Sequence, residues 1–378
     1  MKQIGRTSMA IKILFFIETL SGGGAEKVLC NLVNAMDQSQ FDITVQTLWK
    51  ADAANKLNSG IRYKYCFPDQ SARNQRLSRL EAALGLIYPL HIKDRYDIEV
   101  AYLECGSTKI IASSSNRKAA KIAWVHCDLA LKMRDPKAFA EKAAKWYQKF
   151  DRVVCVSQNV KDSFDRLFGI PEKTAVLYNT IDDAFIRQQA VLRLPEMPQK
   201  RKLTAVTLGR LTKQKSYDRL LRVHEALIRE GFDYDLWILG EGEERANLEA
   251  FIKEHDLSDS VKLLGFCQNP YPYIASADFL VCSSLYEGFS TFVSEGIILG
   301  KAIVTTDCTG MRELLGDSEY GLITENSEAA LLSGIRQLLT DPALRSSYEA
   351  RAQVRGQRFS SRQTAEKTEY FFQTLIGS

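Results

Sequence analysis

Residues 278–300, DFLVCSSLYEGFSTFVSEGIILG, read as a β-strand, a turn and an α-helix that starts near Ser290 or Thr291 and ends at Gly300. Gly300 suits the left-handed position that closes a helix. The first amides of such a helix have no internal partner and carry partial positive charge, so the turn suits an anion, and Gly288 lets the backbone come close to one. Glu295 lies about a turn further in. A carboxylate there cannot hold an anion but can accept hydrogen bonds from sugar hydroxyls, and Glu287, before the turn, can do the same on the other side. An anion site flanked by two hydroxyl-reading acids fits a nucleotide sugar, with ribose on one side of the diphosphate and hexose on the other. The competing reading makes Glu295 a partner of the helix dipole and Glu287 a surface acid.

Outward from this stretch, short β-rich runs alternate with longer amphipathic ones. IKILFFIETL, FDITVQTL, DIEVAYL, KIAWV and RVVCVS recur in the first half, and LTAVTLGRL, DYDLWILG, SVKLLGF, DFLVCSS and AIVTTD in the second. This is βαβ grammar. Periodicity lapses around residues 186–202, where two prolines and several charges collect. The expected fold is α/β, two doubly wound Rossmann-like domains facing across a cleft, 1–185 and 186–378, with the last helix free to pack back on the first domain; the resemblance drawn below implies that 1–185 binds the acceptor and 186–378 the donor. Ligands of such sheets bind outside the carboxyl ends of the strands.

A chain of 378 residues exceeds one ordinary core, and its 45% hydrophobic and 25% charged residues describe a globular protein. No apolar run approaches the roughly 20 residues of a membrane helix. The early apolar run reads as a buried first strand rather than a signal peptide, because no small-residue cleavage site follows it. Eight cysteines (30, 66, 105, 127, 155, 267, 282 and 308) are scattered without a CxxC or Cys/His cluster. They are expected to be reduced and mostly buried in a cytoplasmic protein without a zinc site. Residues 1–185 hold 27 Lys+Arg against 20 Asp+Glu, leaving 23 against 26 of the totals 50 and 46 for the rest. Without basic blocks, nucleic acid is not an expected partner, whereas the basic first half suits an anionic acceptor or an anionic membrane surface. Residues 71–90 interleave Arg73, Arg76 and Arg79 with Leu77, Leu80 and Leu84. This is a basic amphipathic helix, either packed on its own domain or docked at a lipid interface.

In AVTLGRLTKQKSYDRLL a strand ends at Gly209 and is followed by Arg210 and Lys215, a planar fork and a point charge suited together to a diphosphate. With this loop in the same half, the turn at 286–296 reads as a ligand site. The two stretches, with LWILGEGEER and VKLLGF between them, resemble the retaining glycosyltransferases of family 4, which have the two-domain GT-B fold. The resemblance covers most of the chain and is strongest over 203–325. It implies that Arg210 and Lys215 hold the donor diphosphate, Glu295 the ribose, and Glu287 with Gly288, Phe289, Ser290 and Thr291 the transferred sugar. Ser290 stands where the family often has glycine, which adds a side-chain contact or restricts the donor.

In the first half, TLSGGGAEKV gives a weak dinucleotide fingerprint: Gly22 and Gly24 fit, but Lys27 replaces the third glycine and no acid ends the second strand. The resemblance turns Gly23 and Gly24 toward the donor or acceptor instead. It matches His126, after KIAWV, to the family's first-domain histidine, placed on the transferred sugar. Glu104, after EVAYL, is a candidate on the acceptor side. The one DxD, Asp233 to Asp235, precedes a strand and reads as a turn, so no metal and no other cofactor is expected beyond a UDP-sugar co-substrate. Catalysis is expected to be electrostatic, with Arg210, Lys215 and the helix amides stabilising the leaving diphosphate while His126 and Glu287 orient the sugar. The acceptor is expected to be a sugar, a lipid-linked sugar or a glycoconjugate, reached by a cytoplasmic enzyme peripheral on the inner membrane face. An NAD-linked oxidoreductase lacks its acid. A noncatalytic partner subunit would lose the charged residues that are present here, and a nucleotide-sugar epimerase of the same plan is separated only by motif order.

Overall fold

The structure is a computed structural model and describes residues 10–21, 23–52, 56–200 and 202–376. Gly22, part of the weak dinucleotide fingerprint, lies outside the described residues. The chain divides into two compact units, residues 1–180 with 361–378, and residues 181–360.

Among the described residues the first unit has a seven-stranded sheet in the order β3-β2-β1-β4-β5-β6-β7. Its strands are β1 (Ile11–Ile17), β2 (Phe41–Trp49), β3 (Arg62–Phe67), β4 (Ile98–Ala101), β5 (Ala120–Val125), β6 (Arg152–Cys155) and β7 (Thr174–Val176). The second unit has six, β8 (Leu203–Leu208), β9 (Tyr234–Leu239), β10 (Val261–Gly265), β11 (Phe279–Cys282), β12 (Ile303–Thr306) and β13 (Leu322–Thr324), in the order β10-β9-β8-β11-β12-β13. Neighbouring strands are parallel throughout. Parallel strands are covered on both faces, which is why β4 and β11 are buried along their whole length.

Helices supply the cover. Helix α1 (Gly24–Ala35) buries Val28, Leu29, Leu32 and Val33. In the second unit the Tyr217–Arg229 helix lays Leu220, Leu221, Val223 and Leu227 on a core shared with Leu236, Ile238, Phe279 and Val304. The final helix, Ser361–Ile376, belongs to the first unit: the rings of Phe372 and Phe15 lie 6.0 Å apart, and Asp37 N donates to Glu369 Oε1 at 2.7 Å. The aperiodic stretch at 186–202 opens inside a helix, Asp183–Ala190, whose Gln189 accepts from Asn269 of the same unit at 3.0 Å. The single helix expected over 71–90 is two, α2 (Ala72–Leu84) and α3 (Ile87–His91), because Gly85 turns left-handed at φ +70.

All eight cysteines are free, but only Cys30, Cys155 and Cys282 are buried, fewer than expected. Among the described residues no helix is long and apolar enough to cross a membrane. In each sheet the strand order reverses at one place, between β1 and β4 and between β8 and β11. At such a switch point the loops leaving the two strands run in opposite directions and open a crevice at the carboxyl ends.

Candidate active site

The residues read as a donor site gather at the β8/β11 switch point. The loop after β8 carries Arg210 and the short 3₁₀ turn Lys213–Lys215, and the loop after β11 carries Ser283 to Ser290. Three bonds fasten the loops together: Leu285 N donates to Gln214 O at 2.8 Å, Gln214 Nε2 to Tyr286 O at 2.9 Å, and Ser283 Oγ to Lys215 O at 2.7 Å.

At their junction Lys215 Nζ meets Glu287 Oε1 at 2.6 Å, and Ser284 Oγ donates to the same oxygen at 2.7 Å. The pair is mostly buried, with side chains 20% and 10% exposed. Burial by itself would lower the lysine pKa, but the Glu287 carboxylate outweighs it and holds the ammonium above its ordinary value. Glu287 is therefore no surface acid. Removing one member of a buried pair leaves the other charge uncompensated, at about 3–5 kcal/mol. Arg210 is exposed and has no ion-pair partner among the described residues.

The helix begins where the sequence places it. Thr291–Ile298 is helical, Ser290 caps it by accepting from Val293 N, and Gly300 is left-handed at φ +65. The Ser290 hydroxyl, expected to touch or restrict a donor, also serves as this cap. The remaining first-turn amides have no acceptor within the helix. Glu295 is buried one turn in. The glycine that this turn demands is Gly310, at φ +83: a side chain there would lie 2.4 Å from Gly288 O, so the loop after β12 rests on the Gly288 carbonyl. Likewise a methyl group on Gly240 (φ +139) would lie 1.9 Å from Gly209 O, so the Gly-x-Gly turn after β9 packs backbone to backbone on the Arg210 loop.

Sequence reasoning missed Arg219. It stands on the inward face of the Tyr217–Arg229 helix, buried, donating to Ser283 O at 2.5 Å and to Asn326 Oδ1 at 2.8 Å. Asn326 in turn donates to Leu285 O at 3.0 Å, so a buried guanidinium braces the loop that carries Glu287. The sequence signal is an arginine at an apolar position of the helical stripe. The DxD is not a turn, since Asp235 lies within β9. Lys202 Nζ reaches Asp233 at 2.6 Å and Asp235 at 3.9 Å, at the amino end of the sheet, away from the switch point.

The first unit assembles a different cluster at its own switch point. Glu104, beyond β4, is buried and accepts from His126 N at 3.1 Å, Cys127 Sγ at 3.0 Å and Lys132 Nζ at 2.7 Å. Burial would raise its pKa, but the Lys132 ammonium and these bonds hold it at about 2. Burial pushes His126, at the end of β5, down to about 4 against the pull of Glu104, so the ring is neutral at pH 7. Its Nε2 is buried with no hydrogen-bond partner, and the ring lies 4.8 Å from that of Tyr102. Glu18, after β1, escaped the sequence reading. Burial and then the Glu104 charge raise its pKa, and a methyl group on Gly106 would lie 2.1 Å from its Oε1. Gly23 caps α1, its N–H donating to Glu26 Oε2 at 2.6 Å, and Gly24 opens the helix. Among the described residues no group of His, Cys, Asp and Glu is arranged to hold a metal.

Comparison with known proteins bears on both halves. Residues 22–185 match the family model described as glycosyltransferase family 4, and residues 193–355 match glycosyl transferases group 1. An N-acetylgalactosamine-N,N'-diacetylbacillosaminyl-diphospho-undecaprenol 4-alpha-N-acetylgalactosaminyltransferase of Campylobacter jejuni is 38% identical over 216 residues, 56% of this chain and 57% of that protein. The match therefore spans little more than half of that relative's length. The amylovoran biosynthesis glycosyltransferase AmsD of Erwinia amylovora is 23% identical over 89% of this chain and 92% of its own. In fold, the chain is similar to Anabaena HepE in complex with UDP and glucose, with a TM-score of 0.76 and 18% identity over 96% of this chain and 100% of that one. It is as similar to sucrose-phosphate synthase from Thermosynechococcus elongatus, with a TM-score of 0.76 and 15% identity over 97% and 99% of the two chains. With a family 4 domain in the first half and a group 1 domain in the second, the chain belongs to the family 4-type glycosyltransferases.

Proposed function

We propose that the chain is a retaining transferase that moves a hexose or N-acetylhexosamine from a UDP-sugar to a sugar, lipid-linked or glycoconjugate acceptor without a metal ion. The observation that carries this reading is the buried Lys215–Glu287 pair, its glutamate four residues before a helix N-terminus and its lysine on the loop that also carries the exposed Arg210. Cations and helix amides converge where a diphosphate would gain charge, and acids stand where hydroxyls would be read. The relatives support the choice of substrates: HepE forms a complex with UDP and glucose, and the Campylobacter enzyme is a transferase of a diphospho-undecaprenol acceptor. Metal independence is supported by Asp233 and Asp235, which pair with Lys202 at the far end of the sheet.

In the proposed reaction the bond from the anomeric carbon to the β-phosphate oxygen breaks and the bond to the acceptor oxygen forms on the same face. The acceptor proton passes to the departing diphosphate. Arg210, Lys215 and the amides of Gly288 to Thr291 stabilise the charge on that diphosphate, a kind of contribution typically worth about 2.7–4 kcal/mol per donor. Glu295 holds the ribose, Glu287 the sugar hydroxyls, and neutral His126 donates or accepts a hydrogen bond at the sugar. Gly23 and Gly24 serve the donor, and Glu104 the acceptor. The enzyme works from the cytoplasm at the inner membrane face.

The test is incubation with a panel of UDP-sugars and candidate acceptors in EDTA, following UDP release by chromatography and the product's anomeric configuration by NMR. Retention of configuration with UDP release is expected. Epimerised donor without transfer would identify the alternative, an epimerase of the same two-domain plan, and an inverted product would overturn retention.

A further inference from the structure

The β1/β4 switch point holds two carboxylates, and the structure around it uses one. Glu104 cannot meet a ligand directly: its side chain is 2% exposed, and its oxygens are taken by His126 N, Cys127 Sγ and Lys132 Nζ. It acts on an acceptor only through the groups it holds, the loop after β5 and the Lys132 ammonium. Glu18 differs in each respect. It follows β1 directly, at the carboxyl edge of the sheet, and its main chain is tied down, with Trp49 N donating to Glu18 O at 3.1 Å. Its carboxylate is half-buried and makes no hydrogen bond among the described residues. Gly106, the first residue of the short helix Gly106–Ile111, leaves room for it, since a methyl group there would lie 2.1 Å from Glu18 Oε1.

Folding of the unit gains nothing from such a group. Burial and then the Glu104 charge disfavour the ionised form and raise its pKa, and the Lys132 ammonium, already held by Glu104, offsets only part of this. A partly buried carboxylate without donors, set at the carboxyl edge of a switch point, is in the condition of a ligand site before its ligand arrives. Its chemistry is narrow. An ionised carboxylate only accepts hydrogen bonds, so the ligand must donate them. The charges acting on Glu18 are Glu104 and Lys132, so two carboxylates stand against one ammonium and an anion is disfavoured. The hydroxyls and amide N–H groups of a sugar ring are donors without charge. Resting on the reading of the first unit as the acceptor side, we propose that Glu18 binds the acceptor, taking hydrogen bonds from the hydroxyl or amide groups of an uncharged sugar and discriminating against acidic sugars, while Glu104 and Lys132 are positioning residues.

The test is a saturation-transfer NMR titration of the full chain, with UDP present, against the p-nitrophenyl glycosides of glucose, galactose, N-acetylglucosamine and N-acetylgalactosamine and against p-nitrophenyl glucuronide. A neutral glycoside should bind the parent protein, and the glucuronide should bind roughly fivefold more weakly than the glucoside, through repulsion between like charges in water. Glu18→Gln should weaken the neutral glycoside by roughly tenfold or more, as loss of hydrogen bonds to a charged group does, and should narrow the gap to the glucuronide. Its thermal midpoint should equal or exceed the parent's, because a like charge beside Glu104 is gone, and its UDP affinity by calorimetry should be unchanged. Gly106→Ala, whose methyl group displaces the carboxylate, should weaken the glycoside by a smaller factor. With a donor that supports transfer, the loss in Glu18→Gln should fall on the acceptor KM more than on kcat. Absence of UDP release with every donor would fail the transferase reading alone, because glycoside binding is read without turnover. Four outcomes overturn the proposal: no neutral glycoside bound by the parent; glucuronide bound as tightly as glucoside; glycoside affinity unchanged in Glu18→Gln; or a loss of affinity in that variant matched by a fall in its thermal midpoint, which would make Glu18 structural.

Discussion

The two switch points solve the same problem with different materials. After β8 and β11 the loops are fitted largely by backbone: Gly240 lies against the Gly209 carbonyl, Gly310 against that of Gly288, Leu285 N donates to Gln214 O, and the Gln214 side-chain amide reaches Tyr286 O. One buried ion pair, Lys215–Glu287, spans them. After β1 and β4 the work falls to side chains. Glu104 is clamped by His126 N, Cys127 and Lys132, and Glu18 presses on Gly106. A site made of backbone fixes where a ligand's charge lies. A site made of converging side chains can vary its contacts while the sheet stays the same, which suits the acceptor role proposed for Glu104.

The largest effect should come from breaking the ion pair. Lys215→Ala should lower turnover by about 10²- to 10³-fold through loss of a charge-stabilising donor. It should also destabilise the second unit by about 3 kcal/mol, because Glu287 is left buried and unpaired. Adding Glu287→Gln should restore most of the stability but none of the turnover. Initial rates and chemical denaturation of the single and double variants measure both, and near-parental turnover in Lys215→Ala would remove the lysine from the mechanism.

A glycine pair sharpens the contrast between backbone and side chain. Gly240→Ala forces a methyl group into a carbonyl at a left-handed position and should cost about 2–3 kcal/mol, with weaker nucleotide binding. Gly106→Ala meets the end of the Glu18 side chain, which can swing aside, and should cost less than about 1 kcal/mol. Equal losses in thermal unfolding would erase the distinction.

The smallest effect is a pH dependence in the first unit. His126 is depressed to about 4, so the unfolded chain gains its proton near the ordinary value of 6.5 while the folded chain stays neutral. Its stabilising share is complete above 6.5 and is lost as pH falls from there to about 4. Between pH 6 and 5 this amounts to about 1 kcal/mol. His126→Gln should flatten the stability curve by that amount over this interval, and an NMR titration should find the native ring neutral at pH 5. A ring that titrates near its ordinary value would contradict its buried environment.

Much of the turn after β11 could be read from sequence because its determinants are close in the chain. The strand ending in SSLYEG, the Ser290 cap and the left-handed Gly300 follow from local rules, as does the loop from Gly209 to Lys215. The contacts that join its loops could not be read. Lys215 and Glu287 lie 72 positions apart, Arg219 and Asn326 lie 107 apart, and nothing local announces either pair. Periodicity revealed the leucine strip of α2 but not which face turns outward, since that depends on Glu81 finding His91 inside. Asp235 reads as a turn because alternation in YDLWIL is masked in a parallel strand buried along most of its length. Glu18 was missed because an acid after an apolar run looks like an ordinary strand end until Glu104 comes beside it.

Calorimetry with UDP in EDTA tests most directly whether the β8/β11 turn is a nucleotide-diphosphate site. The native chain should bind UDP with one site and no metal. Glu295→Gln should weaken UDP by about 1–3 kcal/mol, the worth of a hydrogen bond to a charged group. Glu287→Gln should leave UDP affinity unchanged or raise it, because Lys215 is then freed for the phosphates, while turnover falls. Binding that appears only when magnesium or manganese is added, or equal weakening by the two glutamate variants, would contradict the assignment.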